Sequence, residues 1–382
     1  MEYAVRAMSF SKRKWLWRLL AIPAGALLGL MLAEGAARVY TPPGGADLFF
    51  NSPEAVPRGL YVTSPGLLLE PSHNFSGTVR VLGRGVPVRT NALGLRGGAV
   101  QTDGPPRGWL TVGDSFTMAL QVTEEETWQG RLTRRTGTPF YNGGVDGYST
   151  WQATTRYRRL VERGLRPRGV LLLYFLGNDL TDNRHFPVII SQMGPSEAGM
   201  PIPKYPAPVW RVLLLGHSFL YAHYKVWRAS RDPAGEVPHF HKRWREELSL
   251  FTRPGADLLR ELSGHTERAL QEMAAETHRL GHTLVVAVAP PAFQLQPEKA
   301  EGTFRSLGLD PGTADLDAPR RAVLQQLSRL GIQACDLTPG LRAGIAREEA
   351  LYFNFDGHWT ADGHRVVADT VAACLNSRKP GR

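Results

Sequence analysis

At 382 residues and 42% hydrophobic content, the chain can bury a sizeable core and form one large or two small domains. Its 45 Lys and Arg against 35 Asp and Glu leave a formal charge of +10, but no recognised nucleic-acid motif or aromatic interleaving accompanies the basic runs. Two cysteines are too few and too far apart for a zinc site, and neither a phosphate-cradling loop nor a dinucleotide fingerprint occurs, so no cofactor and no metal is expected.

In chain order, a basic tail comes first, with Arg6, Lys12, Arg13, Lys14 and Arg18. It leads into an apolar stretch, from Leu16 to Ala33, of about 18 residues, or roughly 27 Å as a helix. Basic residues before the stretch and few after it predict a cytoplasmic tail (1–18), a signal anchor (16–38) and a body outside the membrane. Glu34 and Arg38 are spaced to pair and continue that helix. The rival reading is a cleaved signal peptide, because Gly35 and Ala37 are small residues at suitable spacing. Residues 39–107 are rich in Gly and Pro and read as a linker with a small accessory β element, a hairpin of Thr78–Val81 with Val86–Arg89.

From 108 onward strand-like and helix-like segments alternate. Strands are expected near 108–113, 139–145, 170–176, 283–289 and 332–336. Helices are expected near 124–136, 150–163, 263–280, 317–330 and 361–376. Such alternation predicts an α/β fold with a five-stranded parallel sheet covered on both faces. The helix near 150–163 and the residues after it carry Arg156, Arg158, Arg159, Arg163, Arg166 and Arg168, read as a solvated face or as an attraction for an acidic polysaccharide or anionic headgroups. Between core elements lies an insertion, 181–254, with a Pro-rich stretch (Pro201, Pro203, Pro206, Pro208). It reads as a lid that sets substrate choice. Its aromatic segment, Phe219, Tyr221, Tyr224 and Trp227, is expected to pack on the body. His239 and His241 have no evident carboxylate partner and read as surface or lid residues. Cys335 and Cys374 fall in the last strand and last helix, where two buried thiols and a disulfide both remain open.

Three short motifs carry the chemistry. Gly113-Asp114-Ser115-Phe116 follows the apolar run ending at Val112 and puts Ser115 just beyond a strand's carboxyl end, where open α/β sheets bind ligands. Gly177-Asn178-Asp179 ends another apolar run and offers a carboxamide at the same edge. Asp356-Gly357-His358-Trp359 brings a carboxylate and an imidazole two residues apart. A serine hydroxyl needs a base to take its proton, and the base needs a third group to orient it. A second Asp-Gly-His triplet, ending at His364, falls at the start of the last helix, with Thr360 as its N-cap, and reads as structural.

These motifs, with Asn142-Gly143-Gly144-Val145-Asp146-Gly147-Tyr148-Ser149-Thr150, resemble the four sequence blocks of the SGNH (GDSL) hydrolase family, in its bacterial membrane-anchored form. The resemblance covers residues 88 to 377. It implies a flavodoxin-like three-layer α/β/α fold for residues 108–382. It implies Ser115 as nucleophile, His358 as general base and Asp356 as its orienting carboxylate. The N–H groups of Ser115 and Gly147 and the amide of Asn178 would form the oxyanion hole. Asp179, Asp182 and Trp359 are candidate substrate contacts, and Asn183, Arg184 and His185 are the next polar side chains along the rim. The Asp-x-His-Trp spacing resembles that of alginate acetylation proteins. The expected activity is therefore that of an extracytoplasmic esterase on O-acetyl groups of a carbohydrate, working beside envelope polysaccharide machinery and not on nucleic acid. Transfer of the acyl group to a polysaccharide, and a silent glycan-binding role, both stay open.

Overall fold

The computed structural model describes residues 21–39, 59–81, 84–192, 218–221, 224, 238–347, 349–353 and 357–377. The tail 1–18, residues 40–58 of the linker and the Pro-rich centre of the insertion lie outside these residues, as do Asp356 and Trp227. The first described element is helix α1, Ala21–Val39, which is long and apolar enough to cross a membrane and has none of its span buried. Leu27, Leu28, Leu30, Met31 and Leu32 all face outward.

Four short strands follow in two antiparallel pairs: β1 (Tyr61–Ser64) with β2 (Leu68–Pro71), and β3 (Ser76–Val81) with β4 (Arg84–Arg89). The second pair contains the expected hairpin, with Val79 opposite Val86. The first pair has no alternating pattern to announce it, and Leu68 sits at φ 70. Val79, Val86 and Val88 pack against Met118 and Leu120, and Leu67 packs against Val145 and Tyr148. This small element thus supports two loops that border Ser115.

The main sheet consists of β5 (Trp109–Val112), β6 (Phe140–Asn142), β7 (Gly169–Phe175), β8 (Thr283–Ala289) and β9 (Gln333–Asp336). Their spatial order is β6-β5-β7-β8-β9, and every pairing is parallel. This is the flavodoxin-like order, with its switch point beside β5. The helices used below are α2 (Ser115–Met118), α3 (Trp128–Thr136), α4 (Thr150–Glu162), α5 (Asp179–Gln192), α6 (Pro238–Ser249), α7 (Ala256–Arg279), α8 (Ala318–Arg329), α9 (Thr338–Ala346) and α10 (Ala361–Asn376). Because side chains alternate along a strand, β7 divides its apolar run between two cores. Val170, Leu172 and Tyr174 meet α4, α7 and α8 through Tyr157, Leu270 and Val323. Leu171 and Leu173 meet α3, α9 and α10 through Trp128, Leu341 and Val367. Each face is covered, which is why the strand reads as a continuous hydrophobic run.

One helix differs from the sequence expectation, and one open question is decided. Helix α7 starts at Ala256, earlier than expected, because a short 3-10 turn at Arg253–Gly255 leads straight into it. Cys335 and Cys374 are joined as a disulfide, Cα–Cα 5.8 Å, tying β9 to α10. Both ends of the 181–254 insertion are helical, α5 leaving the sheet and α6 returning to it.

Candidate active site

Ser115 stands where β5 gives way to the single turn of α2. Gly113 makes the corner at φ 145, and a Cβ there would fall 2.5 Å from Thr117 Oγ1 and 2.7 Å from Leu173 O, so only glycine fits. Asp114 caps the turn by accepting from the Phe116 N–H at 2.9 Å. The turn ends at Ala119 in the left-handed region, φ 57. Arg96, almost fully buried, fixes that end: its guanidinium donates to Met118 O at 2.7 Å, to Val122 O at 2.6 Å and to Ala119 O. Asn142 adds a bond from Nδ2 to Thr117 O at 2.8 Å. Neither Arg96 nor this clamp was legible in the sequence, where the residue falls inside an apparent linker.

His358 reaches the same point from the other end of the chain. It lies in a tight loop closed by the bridge Tyr352–Trp359 and by the bond from Phe353 N to His358 O at 2.9 Å. Gly357 turns that loop at φ 75. Trp359 is fully buried and anchors it in the core. Phe116 contacts three neighbouring rings: Phe175 at 4.0 Å, His358 at 4.6 Å and Trp359 at 4.9 Å between centroids. On this shelf, His358 Nε2 lies 2.7 Å from Ser115 Oγ. With Nε2 facing the hydroxyl as acceptor, the neutral imidazole carries its proton on Nδ1. Asp356, expected to accept that proton, is outside the described residues.

The second triplet goes elsewhere. His364 is buried and its Nδ1 accepts from the Trp128 N–H at 3.3 Å. Thr360 does cap α10, accepting from Gly363 N at 3.2 Å.

Around Ser115, the backbone N–H groups of Ser115 and Gly147 donate to no other described residue. Gly147 has φ 73 and open space where a Cβ would be. The loop bearing it is pinned by Gly144, whose Cβ would lie 2.4 Å from Met118 N, and by Tyr61, whose hydroxyl donates to Asp146 Oδ2 at 2.9 Å. Asn178 lies in the turn that follows β7, at the same edge, and its Nδ2 donates to Asp182 Oδ2 at 3.0 Å.

The residues expected to touch substrate are placed behind this surface. Asp179 is buried and accepts from Phe175 N at 2.8 Å; Asp182 is buried against Arg243; Trp359 has no exposure. They brace the site from within and do not line it. Asn183 is likewise buried, bonded to Thr150 N at 2.9 Å, and Arg184 pairs with Glu246. His185 is half-buried beside Arg184. The side chains of His239 and His241 lie outside the description.

Burial pushes the Asp114 carboxyl up to about 7, against the pull of the Phe116 N–H and of His358. Asp179 is raised well above the ordinary carboxylate range by burial and then by repulsion from Asp114 and Asp182. Asp114 and Asp179, both buried, thus carry less negative charge near neutrality than their residue type suggests. Among the described residues, no group of three or more His, Cys, Asp or Glu is placed to hold a metal ion.

Residues 250–382 match the family profile described as the SGNH hydrolase-like domain of acetyltransferase AlgX. A sequence search of curated proteins finds no match. Among solved structures, the chain is similar to a member of the lipolytic G-D-S-L family from Veillonella parvula, at 9% identity and TM-score 0.38, over 71% of this chain and 98% of that one. It is also similar to an acetylxylan esterase from Geobacillus stearothermophilus, solved as a catalytic mutant, at 12% identity and TM-score 0.37, over 72% of this chain and 96% of that one. At those scores neither structural likeness bears on chemistry. The profile match covers residues 250–382, the part that carries β8, β9 and His358, and the sheet order is that of a flavodoxin-like α/β fold.

Proposed function

We propose that this SGNH-type chain is a membrane-anchored, extracytoplasmic serine esterase that removes O-acetyl groups from an envelope polysaccharide. The observation that carries the reading is the 2.7 Å approach of His358 Nε2 to Ser115 Oγ at the carboxyl edge of the sheet. Ser115 Oγ attacks the ester carbonyl while its proton passes to Nε2. The carbonyl oxygen, now negative, is held by the N–H groups of Ser115 and Gly147 and by the Asn178 amide. Collapse of this intermediate breaks the bond to the sugar oxygen, which takes the proton from His358 and leaves an acetyl-serine. Water then gives a proton to Nε2 and attacks the acetyl carbon; on collapse Ser115 Oγ takes that proton back and acetic acid leaves, to ionise in solution. Asp356 is assigned to orient the imidazole.

A second reading changes only the last step: a sugar hydroxyl replaces water and the acetyl group is transferred. The acetyltransferase named in the matched profile supports it. The anchored placement is supported by a contact of α1. Glu34 accepts from Phe219 N at 2.9 Å, from Leu220 N at 3.0 Å and from Ser218 Oγ at 2.8 Å, so the insertion docks on the helix that a signal peptidase would remove.

A fluorophosphonate should label Ser115, and intact mass after an acetyl ester should show the acetyl adduct. Ser115→Ala should abolish both, and His358→Ala should slow turnover by a factor on the order of 10³ or more. Labelling that persists in Ser115→Ala would sink the assignment. Appearance of acetylated oligosaccharide when an acceptor is added would decide for transfer.

A further inference from the structure

The Asn178 carboxamide can help an oxyanion only if its NH2 end, not its carbonyl, faces the site's rim, and a chain of charged groups decides which. One N–H of Nδ2 is taken by Asp182 Oδ2 at 3.0 Å, one helical turn further on. The other Asp182 oxygen accepts from an Arg243 NH2 group at 2.7 Å. Arg243 Nε donates in turn to Glu247 at 2.7 Å. The Thr181 hydroxyl lies 3.2 Å from Glu247 and 2.7 Å from the Asn178 backbone carbonyl, so it can donate to either and ties the carboxylate to the backbone that bears the amide. Asp182 and Glu247 are buried, whereas the Arg243 side chain is 40% exposed.

An ionised carboxylate only accepts hydrogen bonds, so it selects the amide orientation that turns Nδ2 toward it and repels the reverse. A neutral carboxyl can donate, and would accept either orientation. Ionisation of a buried carboxyl needs a counter-charge: burial raises Asp182 to about 7, and Arg243, bonded to it at 2.7 Å, pulls against that. Arg243 comes from α6, the helix by which the insertion returns to the sheet. We infer that Asp182 and Arg243 are positioning residues for the Asn178 oxyanion donor, and that the return helix of the insertion thereby sets up the catalytic centre. This rests on the esterase reading above. The insertion then acts on turnover itself through α6, and a substrate that moves α6 changes the rate as well as the affinity.

A double-mutant cycle on the full-length protein in detergent, with p-nitrophenyl acetate, tests the role. Asn178→Ala should lower kcat about 10²-fold to 10³-fold, as loss of one oxyanion donor does. Arg243→Gln should lower kcat on the order of 10-fold with KM little changed, and should lower it no further in the Asn178→Ala background. Arg243→Lys, which keeps the charge, should recover most of the loss. Asp182→Asn, which keeps the shape, should repeat the pattern if Arg243→Gln loosens α6. Losses that multiply across the cycle, or a KM effect with kcat intact, would overturn the positioning role while leaving the esterase reading in place. If Asn178→Ala leaves kcat unchanged while Ser115→Ala abolishes it, the oxyanion assignment falls and takes this role with it.

Discussion

The two halves of the proposed catalytic pair are held by different means. The Ser115 corner is fixed by backbone: Gly113 and Gly144 allow close approaches that no side chain would permit, and Arg96 satisfies three carbonyls at the end of α2. The His358 loop is fixed by rings and a covalent tie: the Phe116 shelf, the buried Trp359 and the Cys335–Cys374 disulfide whose span encloses it. A nucleophile on a strained strand-to-helix turn tolerates no displacement, so its supports merge with the core. The base has to take up and give back a proton, and a shelf that lets the imidazole settle serves that better than a clamp. Perturbing the first side should therefore damage stability and rate together, and perturbing the second should separate them.

The largest expected effect is at the Ser115 corner. Arg96→Ala removes a donor from the carbonyls of three buried residues, Met118, Ala119 and Val122, and each unsatisfied buried group costs about 1–3 kcal/mol. A loss on the order of 3–5 kcal/mol is expected, read as a drop in the denaturant midpoint, with kcat falling in parallel. A variant that keeps its midpoint while losing activity would show that Arg96 is not part of the corner's framework.

On the other side, breaking the disulfide should have a smaller and more divisible effect. The cysteines are 39 residues apart, and a loop of that length implies about 4 kcal/mol of chain entropy as an upper figure. Native-state contacts of α10 recover part of it. Cys335→Ala with Cys374→Ala should lower Tm, remove the Tm difference between reducing and oxidising buffers, and leave kcat at a temperature well below Tm within a few-fold of the parent. A kcat loss as large as that of His358→Ala would mean that the tie itself positions the imidazole.

Much of this arrangement was legible in the sequence. The strands β5, β7 and β8 are continuous apolar runs that stop at small or polar residues, so the runs gave the sheet and their ends gave Ser115 and Asn178. His358 and His364 were separable because one triplet precedes the helix cap Thr360 and the other follows it. What was not legible depends on contacts between distant segments. Arg96 and Arg243 are ordinary arginines until the fold brings them to Ala119 and Asp182. The β1–β2 pair has too few residues to show a period, and Leu68 at positive φ breaks what there is. Two cysteines in neighbouring elements do not announce a bond, because pairing depends on how α10 lies on β9. Burial of Asp179 and Asp182 follows from α5 turning into the body just after β7, and burial of Trp359 from the bridge to Tyr352 that draws its loop into the core, neither of which residue type alone reveals.

The smallest expected effect sharpens the contrast between the two histidines. His364 is held neutral: burial, reinforced by the charges of Arg96, Arg131 and His358, keeps its pKa well below the ordinary value of 6.5. Its Nδ1 serves as an acceptor for the first N–H of α3, and protonation would turn that acceptor into a donor. The unfolded chain binds a proton at this residue below pH 6.5 and the folded chain does not, so stability is complete above that pH and falls as the pH drops through it. The slope approaches about 1.4 kcal/mol per pH unit once the unfolded histidine is fully charged. His364→Asn keeps an oxygen acceptor near the position of Nδ1 and removes the titration. It should therefore cost about 1–2 kcal/mol at pH 7.5 through lost packing, yet lose less than the parent between pH 6.5 and 5, as measured by urea unfolding at each pH. Its kcat at pH 7.5 should stay within a few-fold of the parent, in contrast to His358→Ala. An unchanged acid slope would mean that His364 already carries a proton in the folded protein. A collapse of kcat would make it part of the catalytic centre, and the two triplets would then share a single task.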